Sequence, residues 1–308
     1  MSLEARRFLT WVVAGFLAAG CLSTGATAPA GPAAVLSQAA PSAPPVALPN
    51  QEGSLKFAVL GDFGTGDRDQ YQLAEQMAKL RERFPFELVV TVGDNLYGGN
   101  GARDFERKFE IPYKPLLAAD VKFYASLGNH DAPVQTKYAP FNMDGQRYYT
   151  FKAPRQDVRF FALDSTYLDP AQVAWIEKEL QSSSEDWKIP YFHHPLYSSA
   201  DRHGSDLGRR RSLEPLFIKY GVSVVLAGHD HVYERTKPQN GIVHFVTGSG
   251  GKLRRGNLDE RSTLTAAGND TVHAFMAAEI VGDEMTFNVV SRTGQVIDSG
   301  VVQRRKPE

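Results

Sequence analysis

The chain has 308 residues, 42% of them hydrophobic and 11% aromatic, which is enough apolar side chain for a sizeable core and excludes wholesale disorder. Its net charge of −1, from 34 basic and 35 acidic residues, excludes the broad basic footprint of a nucleic-acid scaffold. The single cysteine, Cys21, excludes an internal disulfide and a cysteine-based zinc site, so a metal would have to use His, Asp, Asn, Tyr or Glu.

Residues 1–21 read as a signal peptide. Arg6 and Arg7 precede a short apolar run from Trp11 to Gly20, too short to read as a membrane span. The run ends in Leu17-Ala18-Ala19-Gly20-Cys21, which resembles a bacterial lipobox. Used as one, it would anchor an exported protein to a membrane through lipidated Cys21, in the periplasm or cell envelope. The alternative is an ordinary signal peptide cut beyond Cys21, giving a secreted protein. Residues 22–50 are rich in Ala, Pro and Ser and carry no charge, so a disordered linker is expected over 22–52, with the folded domain at 53–305.

Within that domain, apolar and β-branched runs predict strands at Leu55–Leu60, Leu88–Val92, Lys122–Ser126, Arg159–Leu163, Ile189–Phe192, Ser223–Ala227 and Ile242–Val246. Several are apolar almost throughout, as strands buried on both faces are. Helices are expected at Tyr71–Arg83, at Ala171–Leu180 behind the cap pair Asp169-Pro170, and at Leu213–Tyr220 before Gly221. The stretch His273–Val302 alternates, with turns at Gly282-Asp283 and Thr293-Gly294, and reads as antiparallel strands closing a second sheet. The basic clusters Arg209–Arg211, Arg254–Arg255 and Arg304–Lys306 read as solvated faces. The class is α/β.

Five of the strands run directly into polar residues: Gly61-Asp62-Phe63-Gly64, Gly93-Asp94-Asn95-Leu96-Tyr97, Gly128-Asn129-His130-Asp131, His193-His194-Pro195 and Gly228-His229-Asp230-His231. Ligands of open α/β sheets bind beyond the carboxyl ends of the strands, so these loops are expected to converge. Carboxylates and imidazoles suit hard or borderline cations, and two cations a few ångströms apart need a shared ligand. The candidate set is Asp62, Asp94, Tyr97, Asn129, His193, His229 and His231.

In this order the motifs resemble the calcineurin-like metallophosphoesterases, Tyr97 narrows the resemblance to the purple acid phosphatases, and the length resembles their small, single-domain members. It runs from about Leu55 to Glu234, with the Thr247–Gly251 turn also similar. It implies a four-layer α/β/β/α sandwich of two mixed β-sheets flanked by helices. It implies two metal ions, Fe(3+) with Fe(2+), Zn(2+) or Mn(2+). Asp62, Tyr97 and His231 would hold the first, Asn129, His193 and His229 the second, and Asp94 would bridge. It implies that His130 and His203 act on the substrate side, and that a small-molecule phosphate monoester is hydrolysed by attack of a metal-activated hydroxide on phosphorus. His194 departs from the usual residue at its position and receives no role; the spacing before Pro195 favours His193 as the ligand. His244 and His273 read as structural, and Asp131 as a turn or orienting residue. The competing readings are a phosphodiesterase or nucleotide hydrolase on the same core, a manganese or zinc phosphoesterase in which Tyr97 binds no metal, and a non-catalytic binding lipoprotein. Oligomeric state is not legible.

Overall fold

A computed structural model describes residues 45–306. The expected signal peptide, Cys21 and residues 22–44 of the expected linker lie outside the described residues. The elements run, in chain order, β1 (Leu55–Leu60), α1 (Arg68–Arg83), β2 (Leu88–Val92), α2 (Ala102–Phe105, continued by a π-turn over Glu106–Glu110), α3 (Lys114–Ala118), β3 (Lys122–Ser126), β4 (Tyr149–Lys152), β5 (Val158–Ala162), α4 (Pro170–Ser182), β6 (Trp187–Tyr191), α5 (Leu207–Lys219), β7 (Val224–Ala227), β8 (Tyr233–Thr236), β9 (Val243–Thr247), β10 (Thr265–Asn269), β11 (Ala274–Val281), β12 (Glu284–Ser291) and β13 (Val296–Gln303). They form a six-stranded sheet in the order β13-β12-β11-β1-β2-β3 and a seven-stranded sheet in the order β10-β8-β9-β7-β6-β5-β4.

The two-residue period of the strands builds the layers. Phe57 and Val59 of β1 and Val90 of β2 point inward, where they meet Phe160 of β5, Ile189 of β6, Leu226 of β7 and Phe245 of β9. Phe57 and Phe160 cross edge to face between the sheets, with ring centroids 5.3 Å apart. The alternate residues, Ala58, Leu60 and Val89, point outward and pack on Leu73 and Met77 of α1 and on Phe109. On the opposite side Phe161 and Val225 pack on Ile176 and Leu180 of α4 and Leu213 and Phe217 of α5. The result is the expected four-layer α/β/β/α sandwich.

The C-terminal strands depart from expectation. They do not close a second sheet but extend the first, because β11 pairs antiparallel with β1 (Leu55↔Ile280 through Val59↔Met276). That register sends Ala274, Met276, Ala278 and Ile280 into the inter-sheet core. Helix α5 begins six residues before Leu213, where Asp206 caps it by accepting from the Arg209 N–H at 2.8 Å. The linker expected to residue 52 is too long at its C-terminal end. Glu279, fully buried on β11, accepts from the Asn50 and Gln51 N–H groups at 2.6 and 2.7 Å and from the Ser54 hydroxyl at 2.6 Å. A carboxylate removed from water requires such donors, so this segment is held to the sheet.

Candidate metal centre

Strands β1, β2 and β3 run parallel, as do β5, β6, β7 and β9, so their carboxyl ends carry the five polar loops to one edge of the sandwich. The turns are sharp. Asp62, Asp94 and His229 all take left-handed backbone conformations (φ 53°, 52° and 71°), which side chains other than glycine adopt rarely. Such strain persists only where the surroundings enforce it. The glycines explain part of that enforcement: a Cβ on Gly128 would lie 2.2 Å from Asp94 Oδ1, and one on Gly228 2.5 Å from Asp62 Oδ2. Each glycine is where a carboxylate passes against backbone.

Seven side chains meet there in two neighbouring groups. In one, Tyr97 Oη lies 3.2 Å from both Asp62 Oδ1 and His231 Nε2. In the other, His193 Nε2 lies 2.9 Å from Asn129 Oδ1, 3.1 Å from His229 Nδ1 and 3.4 Å from Asp94 Oδ1. Asp62, Asp94 and His193 offer ligand atoms within 4.8 Å of one another, which joins the groups.

The chemistry of this donor set fits cations. His193 Nδ1 sits 2.9 Å from the Val92 carbonyl, so it carries the proton and donates. Nε2 is then a lone pair, and it faces the oxygens of Asn129 and Asp94. A backbone carbonyl that fixes a histidine tautomer in this way is usual behind a metal ligand. Asp62 and Asp94 are both buried, and among the described residues no lysine or arginine pairs with either. Burial, and then the charge of Asp94, pushes the Asp62 carboxyl well above its ordinary range, against the donation from the His229 N–H. Burial lowers His193 and His229 and brings His231 down to about 4, which keeps the imidazoles neutral. Burial and the charges of Asp62 and Asp94 also push the Tyr97 phenol up. A cation would reverse the penalty on every anion in the group.

His130 and His203 sit at the rim. His130 is exposed; its N–H donates to Asp94 Oδ1 at 2.9 Å and its ring lies 5.0 Å from that of Tyr97. His203, also exposed, lies 4.2 Å from the His229 ring. His244 is buried within β9 against Tyr197, and His273 bridges the Ser249 carbonyl and Asp69, so both stand outside the group. Three further residues support the ligand loops, the first of them Asp131 in the turn or orienting role expected of it. Asp131 accepts from the N–H groups of Gly128, Asn95 and Leu96, at 2.8, 3.1 and 3.0 Å, and so ties two ligand loops together. Ser165 Oγ accepts from the N–H groups of His193 and His194. Arg209, expected on a solvated face, turns inward and donates to the Ser165 carbonyl.

Comparison with known proteins agrees with this geometry. The calcineurin-like phosphoesterase family profile matches residues 55–233. The chain belongs to that family. It is 25% identical over 299 residues to tartrate-resistant acid phosphatase type 5 of Rattus norvegicus, with 82% of this chain and 91% of the relative covered. Among solved structures, it superposes on GAP50, described as the anchor in the inner membrane complex of Plasmodium, with a TM-score of 0.71 at 20% identity, covering 83% of this chain and 90% of that one. It superposes on purple acid phosphatase PPD1 from yellow lupin (Lupinus luteus) seeds with a TM-score of 0.68 at 22% identity, covering 83% of this chain and 55% of that one. At those identities the two structures speak for the fold.

Proposed function

We propose that this protein is a metal-dependent phosphatase that hydrolyses phosphate monoesters at a two-metal centre. The observation that carries the reading is the convergence of seven oxygen and nitrogen donors, two of them buried carboxylates with no lysine or arginine partner among the described residues. Asp62, Tyr97 and His231 would hold one ion, Asn129, His193 and His229 the other, and Asp94 would serve both. Fe(3+) beside Fe(2+), Zn(2+) or Mn(2+) suits a site with a phenol on one side and none on the other. When bound, the ions supply Lewis acidity, lowering the pKa of a water and neutralising charge on phosphoryl oxygens.

Magnitudes apportion the remaining work. Accelerations of phosphate monoester hydrolysis reach about 10²¹-fold, whereas a positioned general acid contributes about 10²–10⁴-fold. The rim histidines therefore assist and do not dominate. His130, fixed by its backbone bond to Asp94, would bind the phosphate and hold a proton for the leaving alkoxide. His203, packed on His229, would contact the substrate from the other side. An exported, lipid-anchored location through Cys21 belongs to the same reading, supported by the lipobox-like sequence alone.

The test compares aryl phosphate monoesters and diesters as substrates across pH, with metal content and visible absorption measured on the same sample. Monoester preference and an absorption band that shifts in Tyr97→Phe are expected. Diester preference would instead favour a phosphodiesterase on this core, and a colourless active enzyme would remove Tyr97 from the ligands. His130→Ala should lower kcat by about 10²-fold with both ions retained; loss of metal alongside activity would place His130 in the ligand shell.

A further inference from the structure

Beside the proposed ligand His193 stands a second imidazole, His194, to which the motifs assign nothing. Its ring lies 4.4 Å from that of His229, and the His203 ring lies 4.2 Å from the same imidazole. His194 therefore belongs to the histidine patch at the mouth of the centre. It is only partly buried.

The hydrogen bonds around Ser165 decide where the His194 proton sits. Ser165 Oγ accepts from the His193 N–H at 3.2 Å and the His194 N–H at 3.0 Å, which occupies both of its lone pairs. Its one remaining capacity is to donate, and His194 Nδ1 lies 2.9 Å away. Nδ1 is thus an acceptor, and the imidazole carries its hydrogen on Nε2. The arrangement is braced from behind: Arg209 donates to the Ser165 carbonyl and pairs with Asp206, the cap of α5. Ser165 fixes both histidines at once, one through its backbone alone and the other through backbone and ring. The Nε2–H group has no acceptor among the described residues.

We propose that His194 is a further substrate-contacting residue, a neutral imidazole whose Nε2–H donates to a phosphoryl oxygen of the bound ester. The inference rests on the phosphatase reading above. A phosphate oxygen suits the position because it is an anionic acceptor delivered to a fixed neutral donor, and such charge-assisted bonds are the strong ones. The lock also excludes other roles. Nδ1 is engaged with Ser165 and is turned away from metal binding. The residue therefore binds and orients phosphate, and proton delivery falls to others.

The experiment uses the metal-loaded protein and inorganic phosphate as probe, with Kd measured by calorimetry and metal content by elemental analysis. His194→Phe keeps a ring against His229 and removes the donor. It should retain both ions and weaken phosphate binding by about tenfold, raising KM for an aryl phosphate similarly while kcat changes little. His194→Gln returns an N–H donor and should recover part of the loss. A phosphate Kd within twofold of wild type in His194→Phe overturns the proposal. So does loss of metal in both variants, which would place His194 among the supports of the ligand shell. A wild-type protein that binds two ions and phosphate but turns over no ester counts against the phosphatase reading alone, since phosphate affinity still reports on His194.

Discussion

At the scale of single residues, the centre depends on side chains that never touch an ion in the proposed assignment. Asp131 is the clearest case. Besides three backbone N–H groups, its carboxylate accepts from Asn95 Nδ2 at 3.0 Å and Gln135 Nε2 at 2.8 Å. These bonds hold the loop after β2 against the loop after β3. Asp131→Ala leaves several buried donors without acceptors, each costing about 1–3 kcal/mol before relaxation. A net loss of about 3 kcal/mol is expected in chemical denaturation, together with weaker metal retention on dialysis. The candidate ligands were legible in the sequence because their chemistry is local: an Asp or His follows a strand, usually behind a glycine. Asp131 was legible as a turn or orienting residue, but its partners in the other loop were not, nor were the remaining supports. Ser165 lies 28 residues before the His193 N–H that it accepts, and Asp131 lies 36 residues after the Asn95 N–H. No periodicity links such pairs, since only the parallel registers of the sheets bring them together.

Elements were legible where propensity, capping and burial agreed. Strands β1 and β2 are buried at every position and read as apolar runs. Helix α1 ends at Arg83 as expected but starts three residues before Tyr71, behind Asp67, whose carboxylate accepts from the Gln70 N–H at 3.1 Å. Asp67→Ala should therefore cost about 1 kcal/mol, read as a lowered denaturation midpoint with unchanged slope. Helix α5 was read short because Arg209–Arg211 masks its apolar face and Pro215 lies inside it. The strands β4, β8 and β10 were missed: they are short, β4 and β10 lie at the edges of their sheet, and β10 is only partly buried along its length. The meander β11–β13 was assigned to the wrong sheet because alternation states that one face is buried and is silent on which strand edge accepts the pairing.

For the whole molecule, stability and chemistry reside in different parts. The inter-sheet core and the helices outside it hold the strands, and the carboxyl ends carry the donors. Stability can then be perturbed far from the centre. Glu185 is nearly buried and takes two bonds from the Arg159 guanidinium, each at 3.0 Å. Those bonds hold its carboxyl down at about 2, against an ordinary 4.5. A depressed pKa contributes stability above the unfolded value and loses it as pH falls towards the folded one. Glu185→Gln should thus be less stable than wild type by about 2 kcal/mol at pH 7, with the gap closing between pH ~4.5 and ~2. Activity of the folded variant should not change.

The proposed function requires one cage of seven donors to hold two cations, with Asp94 shared between them. The most direct measurement is metal stoichiometry by elemental analysis of the purified protein, wild type beside Asp94→Ala, with phosphatase activity followed through chelation and readdition. Two ions per chain are expected, with activity that disappears and returns with them, and an Asp94→Ala protein that folds but retains neither ion firmly. Full activity with one ion or none, or an Asp94→Ala protein that still holds two, would contradict the proposed function.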